Sequence, residues 1–220
     1  MMQKKIILKR YQPATDSYTE HSYNVPLKPR TTVLEALQYI YEELDPSLAF
    51  RYGCRYKRCG LCGVTVDGKP RLACKIELAL VNEVAPLANL PILRDLVVDR
   101  SAYMQSFSGL SLYPIGSRHE PLGHLHEKAL HKSLMSCSEC LCCVATCPKY
   151  NFSSSGFAGP YLFIKIAQLH LDERDAYDRL QQAKEWGISS CEGCLMCNCP
   201  NGIPLQKAIT TLFEMEAPKV

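Results

Sequence analysis

Thirteen cysteines fall into three tight groups: Cys54, Cys59, Cys62 and Cys74; Cys137, Cys140, Cys142, Cys143 and Cys147; and Cys191, Cys194, Cys197 and Cys199. Taken over the three groups, most neighbours stand two to four residues apart. Thiols that close along a chain cannot bridge one another without strain. They can wrap a soft metal centre as thiolates. Disulfide frameworks belong to short secreted domains. This chain has 220 residues, and its opening MMQKKIILKR shows neither a long apolar core nor a small-residue cleavage site, which reads as mature protein rather than a leader. Metal ligation is therefore the chemistry to expect.

The first group reads CRYKRCGLCGVTVDGKPRLAC, a C-x4-C-x2-C triplet with a fourth cysteine eleven residues on. That is the plant-type [2Fe–2S] pattern. Three thiolates on one loop surround such a cluster and Cys74 returns to close it. Gly53, Gly60 and Gly63 are expected to let the backbone wrap closely and aim N–H groups at sulfur. The competing reading is zinc, which favours paired C-x2–4-C ligands and fits a long-short triplet less well.

The second group reads CSECLCCVATCP. Cys137, Cys140, Cys143 and Cys147 give C-x2-C-x2-C-x3-C-P, the bacterial two-cluster run, in which the last thiolate serves the other cluster. The segment CEGCLMCNCP also ends in Cys-Pro and supplies the partner. By exchange, one [4Fe–4S] centre takes Cys137, Cys140, Cys143 and Cys199. The other centre takes Cys147, Cys191 and Cys197, with Cys194 as an open fourth. Cys142 is left over and is expected to be a small buried residue.

Elements must hold these loops. KKIILKRYQ reads as a strand and TEHSYNVPL as its possible partner. TTVLEALQYIYEEL reads as a helix capped by Thr31 or Thr32, with Leu34, Leu37, Ile40 and Tyr41 as its apolar stripe. VTVDGKPR is a strand, an Asp-Gly turn and a strand. Together they suggest a small β-grasp sheet, and LPILRDLVVDR (Leu90 to Arg100) a crossing between halves. PLGHLHEKALHKSLMS, YLFIKIAQLHLD, RDAYDRLQQAKEW and LQKAITTLFEME show helical spacing, punctuated by Pro and Gly. The fold class is thus α+β, with a [2Fe–2S] β-grasp domain over 1–103 and an all-α two-cluster domain over 104–220. Hydrophobic residues at 47% allow a packed core. A net charge of +3 gives no case for nucleic acid, and no apolar run approaches the ~18 residues of a membrane span.

This order of blocks resembles the iron–sulfur subunit of succinate dehydrogenases and fumarate reductases. The resemblance rests on CRYKRCGLCG…RLAC, LPILRDLVVDR, CSECLCCVATCP with its extra Cys142, FAGPYLFIKIAQLHLDERD and the closing CP…PLQKAI. It implies a relay of single electrons between an FAD-containing catalytic subunit and a membrane anchor where quinone reacts. It implies a peripheral position on the cytoplasmic side of the membrane, with succinate or fumarate chemistry on the partner. An alternative keeps the relay but serves another organic acid, a thiol/disulfide couple or an unusual quinone.

The chain departs from that family's pattern at three places. The usual third cluster is [3Fe–4S], with a non-cysteine where this chain has Cys194; a thiolate there makes [4Fe–4S] the expectation. Only Asn198 separates Cys197 from Cys199. Lys149-Tyr150-Asn151-Phe152 and Glu192 replace the tryptophans and histidine of many quinone-reducing members. Of the remaining features, His119, His124, His126 and His131 read as a solvated helix face. Trp186 reads as packing or cluster shielding. Arg51, Arg55, Lys57 and Arg58 read as a docking surface for an acidic partner.

Overall fold

The computed structural model describes residues 2–54, 56, 58–116, 127–153 and 156–213. The chain forms two compact units. One comprises Met1–Gln105 with Ser138–Thr146, and the other Ser106–Cys137 with Cys147–Val220. A short piece of the cysteine-rich C-terminal half therefore packs with the N-terminal unit, which composition does not signal.

In the first unit β1 (Gln3–Gln12) and β2 (Ser17–Pro26) form a long antiparallel hairpin, from Gln3 opposite Pro26 to Gln12 opposite Ser17. Side chains along β1 alternate, so Ile6, Leu8 and Arg10 share the buried face. Helix α1 (Val33–Tyr39) covers the core with Val33, Leu34, Ala36 and Leu37. A capping box starts it: Glu35 N–H donates to Thr32 Oγ1 (3.2 Å), and Thr32 N–H donates to Glu35 Oε2 (2.7 Å). The helix then widens into a π turn over Ile40–Leu44. That widening keeps Ile40 buried but rotates Tyr41 outward, 47% exposed, so Tyr41 does not belong to the expected stripe.

Strands β3 (Gly63–Val66) and β4 (Lys69–Leu72) form the second hairpin around Asp67-Gly68. The three-residue β5 (Glu83–Ala85) lies between the hairpins, parallel to β1 and antiparallel to β3. The sheet order is β2-β1-β5-β3-β4. Leu90 to Arg100 is not a crossing. It makes a small hairpin, β6 (Ile92–Arg94) with β7 (Val97–Val98), and runs into α2 (Arg100–Gln105), all within the first unit. The turn supplies Asp95, fully buried, whose carboxylate accepts from Arg10 Nε (2.9 Å), Arg10 Nη2 (3.2 Å) and the Ala49 N–H (2.8 Å). Arg10 also meets Asp45 Oδ2 at 2.6 Å, so the charged end of the β1 row is paired rather than solvated.

The second unit is helical, with α3 (Ala129–Met135) before the second cysteine group. The next helix, α4 (Cys142–Thr146), belongs to the first unit and packs against β4. The second unit resumes with α5 (Pro160–His170), α6 (Arg179–Glu185) and α7 (Leu205–Thr210). Helix α5 is buried on nearly every side, as a central core helix should be, and starts with Pro160 at its first turn. Gly159 (φ +83) precedes it; a Cβ there would stand 2.9 Å from the Tyr150 ring. The RDAYD stretch stays outside α6 because Asp175 is occupied: it accepts from the Ile115 N–H (2.9 Å) and pairs with the fully buried Arg179 at 2.6 Å. His131 is not on a solvated face. Its side chain is 12% exposed and its ring nitrogen meets Glu127 at 3.1 Å. The other three histidines, and residues 214–216 of the last helical segment, lie outside the described residues.

Candidate iron–sulfur sites

The β3–β4 register explains how distant cysteines meet. Gly63 pairs with Leu72, so the hairpin brings Cys62, just before β3, beside the 3-10 turn Ala73–Lys75 that carries Cys74. The Ala73 N–H donates to the Cys62 carbonyl at 2.9 Å, and the two sulfurs stand 3.4 Å apart. Both residues are buried. Burial pushes the Cys62 thiol up to about 12.

Cys54 and Cys59 form a second pair on the preceding loop. Cys54 sulfur accepts N–H donors from Tyr56 (3.3 Å), Arg58 (3.4 Å) and Cys59 (3.2 Å). Cys59 sulfur accepts from Cys54 N and Leu61 N, each at 3.5 Å. The Arg58 N–H, followed by those of Cys59 and Tyr56, pulls the Cys54 thiol down to about 7. One pair is thus solvated by backbone dipoles and the other sits against the core. Two thiols for each of two irons is what a [2Fe–2S] group requires, and these four residues could hold one. Among the basic neighbours, Arg51 and Arg58 are exposed; Arg55 and Lys57 lie outside the described residues.

In the second unit Cys191, Cys194 and Cys197 line one cavity of about 300 Å³, together with Gln206, Ile209 and Phe213. Burial, then the neighbouring charges of Cys197, Cys147 and Cys194, pushes Cys191 up to about 12. Burial, then Cys147 and Cys194, pushes Cys197 up to about 11. Thiols held at such values give up their protons to a cationic metal, and Cys191, Cys194 and Cys197 could take one up together. Helix α7 sets the loop: Gln206 Nε2 donates to the Leu195 carbonyl (2.9 Å) and the Cys197 carbonyl (2.7 Å). Lys149 Nζ holds the Ser190 carbonyl at 2.5 Å. Neither tie carries a sequence motif. Cys199 lies outside the cavity lining, and its sulfur accepts the Asn201 N–H at 3.4 Å.

Of the remaining thiols, Cys140 and Cys143 belong to the first unit and Cys137 to the second, as does Cys199. Cys142 is fully buried, and its thiol hydrogen bond is the leading cause that draws Cys140 down to about 6. Trp186 stacks edge-on to Phe107 (6.0 Å between centroids) and lines an aromatic cavity of about 400 Å³ with Tyr150, Phe152 and Phe157. Among the described residues no three Cys, His, Asp or Glu side chains close around a single ion.

Paired thiols on a ferredoxin-like sheet, together with a helical unit that has its own thiol cavity, define an iron–sulfur protein. Residues 5–105 match the family described as 2Fe-2S iron-sulfur cluster binding domain. The fumarate reductase iron-sulfur subunit of Haemophilus influenzae is 37% identical over 91% of this chain and 88% of its own. That of Escherichia coli is 34% identical over 95% of this chain and 91% of its own. The chain belongs to the iron–sulfur subunit family of succinate dehydrogenases and fumarate reductases. A structure of the Mycobacterium smegmatis Sdh1 complex in the apo form shares the fold, with a TM-score of 0.85 at 24% identity, over 96% of this chain and 94% of that one. A fumarate reductase (CoM/CoB) polypeptide of Methanothermobacter marburgensis is 33% identical over 87% of this chain. This chain spans only 40% of that relative, and 41% of an uncharacterized iron-sulfur protein of Methanocaldococcus jannaschii that is 35% identical.

Proposed function

We propose that the chain relays single electrons between an FAD-containing catalytic subunit and a membrane anchor where quinone reacts, in a complex of the succinate dehydrogenase or fumarate reductase type. Cys54, Cys59, Cys62 and Cys74 hold a [2Fe–2S] cluster. Cys137, Cys140, Cys143 and Cys199 hold a [4Fe–4S] cluster. Cys147, Cys191, Cys194 and Cys197 hold the third, a [4Fe–4S] cluster with Cys194 as ligand. The domain over 1–103 carries the first cluster and that over 104–220 the other two, with 138–146 packed on the first unit. The observation that carries this reading is the two-by-two pairing of Cys54 with Cys59 and of Cys62 with Cys74 on one sheet.

The irons supply the one-electron chemistry. The chain's own residues set the charge they sit in: backbone N–H groups around Cys54 and Cys59 favour an added electron, and burial of Cys62 and Cys74 keeps water from it. No acid, base or nucleophile is needed. The organic acid is converted on the flavin partner. The subunit is peripheral, on the cytoplasmic side. Among the described residues no helix is long and apolar enough to cross a membrane.

A second reading exchanges quinone for a thiol/disulfide couple. Lys149 to Phe152 and Glu192 at the usual quinone positions favour it, as does the CoM/CoB in one relative's name. The complex, purified without oxygen and reduced, should give a [2Fe–2S] electron paramagnetic resonance signal. Absence of that signal sinks both readings. Assays with succinate, fumarate, quinone analogues and a thiol/disulfide couple then choose between them.

A further inference from the structure

Two glycines of the [2Fe–2S] loop face something other than their own cluster. A Cβ on Gly60 would overlap the Ser138 carbonyl oxygen and stand 3.0 Å from both Cα and N of Cys140. One on Gly63 would stand 3.0 Å from the Cys140 carbonyl oxygen and 3.1 Å from Leu87 Cδ1, with Cys142 Sγ at 3.7 Å. Gly60 has φ +69, so its backbone alone favours glycine. Gly63 is an ordinary strand residue, where glycine weakens the strand and marks a close approach by another backbone. Gly68 is the contrast: its φ is +74, but nothing lies within 4 Å of its Cβ position, so the turn alone explains it.

The other side of the contact is also built. Cys140 is flanked by Glu139 (φ 54) and Leu141 (φ 62), two non-glycine residues in the left-handed region. Each carries backbone strain, which persists only where the surroundings fix it. The surroundings do so here. Arg100 Nη2 donates to the Glu139 carbonyl at 2.6 Å. Asn89 Nδ2 reaches the Val144 and Ala145 carbonyls at 3.3 and 3.4 Å. Leu141 and Cys142 are buried beneath.

We propose that Gly60 and Gly63 are positioning residues that seat the [2Fe–2S] loop directly on the backbone of Cys140, and so fix the separation between the first cluster and the [4Fe–4S] cluster that Cys140 holds. The inference rests on the ligand reading above. Tunnelling between two centres falls steeply with distance, so a bulge of one methyl at this seam lengthens the route without replacing a ligand.

The test uses the anaerobically purified complex, fully reduced, with paramagnetic resonance as readout. In the wild type the reduced [4Fe–4S] cluster is expected to broaden the [2Fe–2S] signal through their magnetic interaction. Gly60→Ala is expected to keep the [2Fe–2S] signal and weaken that broadening. Gly63→Ala, whose neighbours need yield only slightly, weakens it less and decides the matter if Gly60→Ala does not fold. Gly68→Ala, strained but uncrowded, behaves as wild type. Wild type without broadening, unchanged broadening in the folded glycine variants, or loss of the [2Fe–2S] signal in them overturns the proposal. Cys140→Ala tests the ligand reading separately: it should abolish the signal of the [4Fe–4S] cluster proposed for Cys137, Cys140, Cys143 and Cys199 and leave that of the third cluster, and survival of both [4Fe–4S] signals refutes the reading whatever the glycine variants show.

Discussion

The sulfur of Cys62 stands 3.4 Å from that of Cys74, although eleven residues and a β-turn separate them. The hairpin exists to make that pair. Replacing one member should therefore be a loss of cluster rather than a loss of fold: Cys74→Ala is expected to abolish the [2Fe–2S] signal while the circular dichroism of the sheet persists. Cys142→Ala is the matched control. It removes a fully buried thiol beside Cys140 without removing a proposed ligand, so all cluster signals should remain, at a stability cost of about 1 kcal/mol for the small void. A Cys142→Ala protein lacking a cluster would mean that the leftover thiol is a ligand.

Arg10 and Asp95 make the charged centre of the first unit, with side-chain exposures of 5% and 1%. Arg10→Met leaves buried Asp95 with only the Ala49 N–H and the half-exposed Arg94 as partners and should cost about 3 kcal/mol, read as a drop in the unfolding midpoint. Adding Asp95→Asn should restore much of it, because it removes the unpaired charge, keeps an acceptor for the Ala49 N–H and tolerates the left-handed backbone (φ +49) at that position. Asp45 adds a pH dependence. Hydrogen bonds from Ser47 first, then Tyr23, and the contact with Arg10 hold its carboxyl well below the usual carboxylate range. Its folded value is depressed, so its contribution is present above the unfolded value near 4 and is lost as pH falls below that. Acid unfolding curves of wild type and Asp45→Asn should diverge near neutral pH and converge in acid.

What was legible in the sequence follows from how local each signal is. Both hairpins and the Thr32 cap depend on neighbours in the chain, and each appears where spacing put it. β5 is only three residues long and is a strand because β1 and β3 flank it. Leu90 to Arg100 read as a crossing because nothing local shows that Asp95 must turn back to meet Arg10, 85 residues away. Tyr41 follows the helical period on paper, but the π turn breaks that period one residue earlier. At the sites, thiol spacing marks out the groups from which ligands are proposed. The Gln206 ties to the third cysteine loop, and the crowding of Gly60 and Gly63 by Cys140, come from tertiary packing and leave no motif.

Tyr150 is buried three residues beyond Cys147, under Gly159, and burial pushes its phenol up to about 12. An acid whose folded value is raised stays protonated in the folded state after the unfolded chain has lost its proton. Stability is thus unaffected below pH ~10 and falls as pH rises from there towards 12. Tyr150→Phe should flatten this alkaline limb in thermal unfolding followed across that range. An unchanged limb would mean that another group titrates there.

On the ligand set proposed above, Cys194 decides the type of the third cluster. Cys191, Cys194 and Cys197 face one cavity, and the charges of Cys147 and Cys194 act on both of the others. A thiol that close to three proposed ligands completes a four-thiolate set, and four thiolates hold a [4Fe–4S] cubane. Fresh, anaerobically prepared oxidised protein should then lack a [3Fe–4S] signal. Cys194→Ala removes the ligand of one corner, and the iron at that corner becomes labile, so the same preparation should now show a [3Fe–4S] signal with the other two clusters unchanged. The Gln206 ties to Leu195 and Cys197 hold the loop from α7 and do not involve Cys194, so the loop should keep its shape in the variant. A native [3Fe–4S] signal already present in wild type, at full occupancy before any exposure to oxygen, would show that Cys194 stands beside the cluster without binding it.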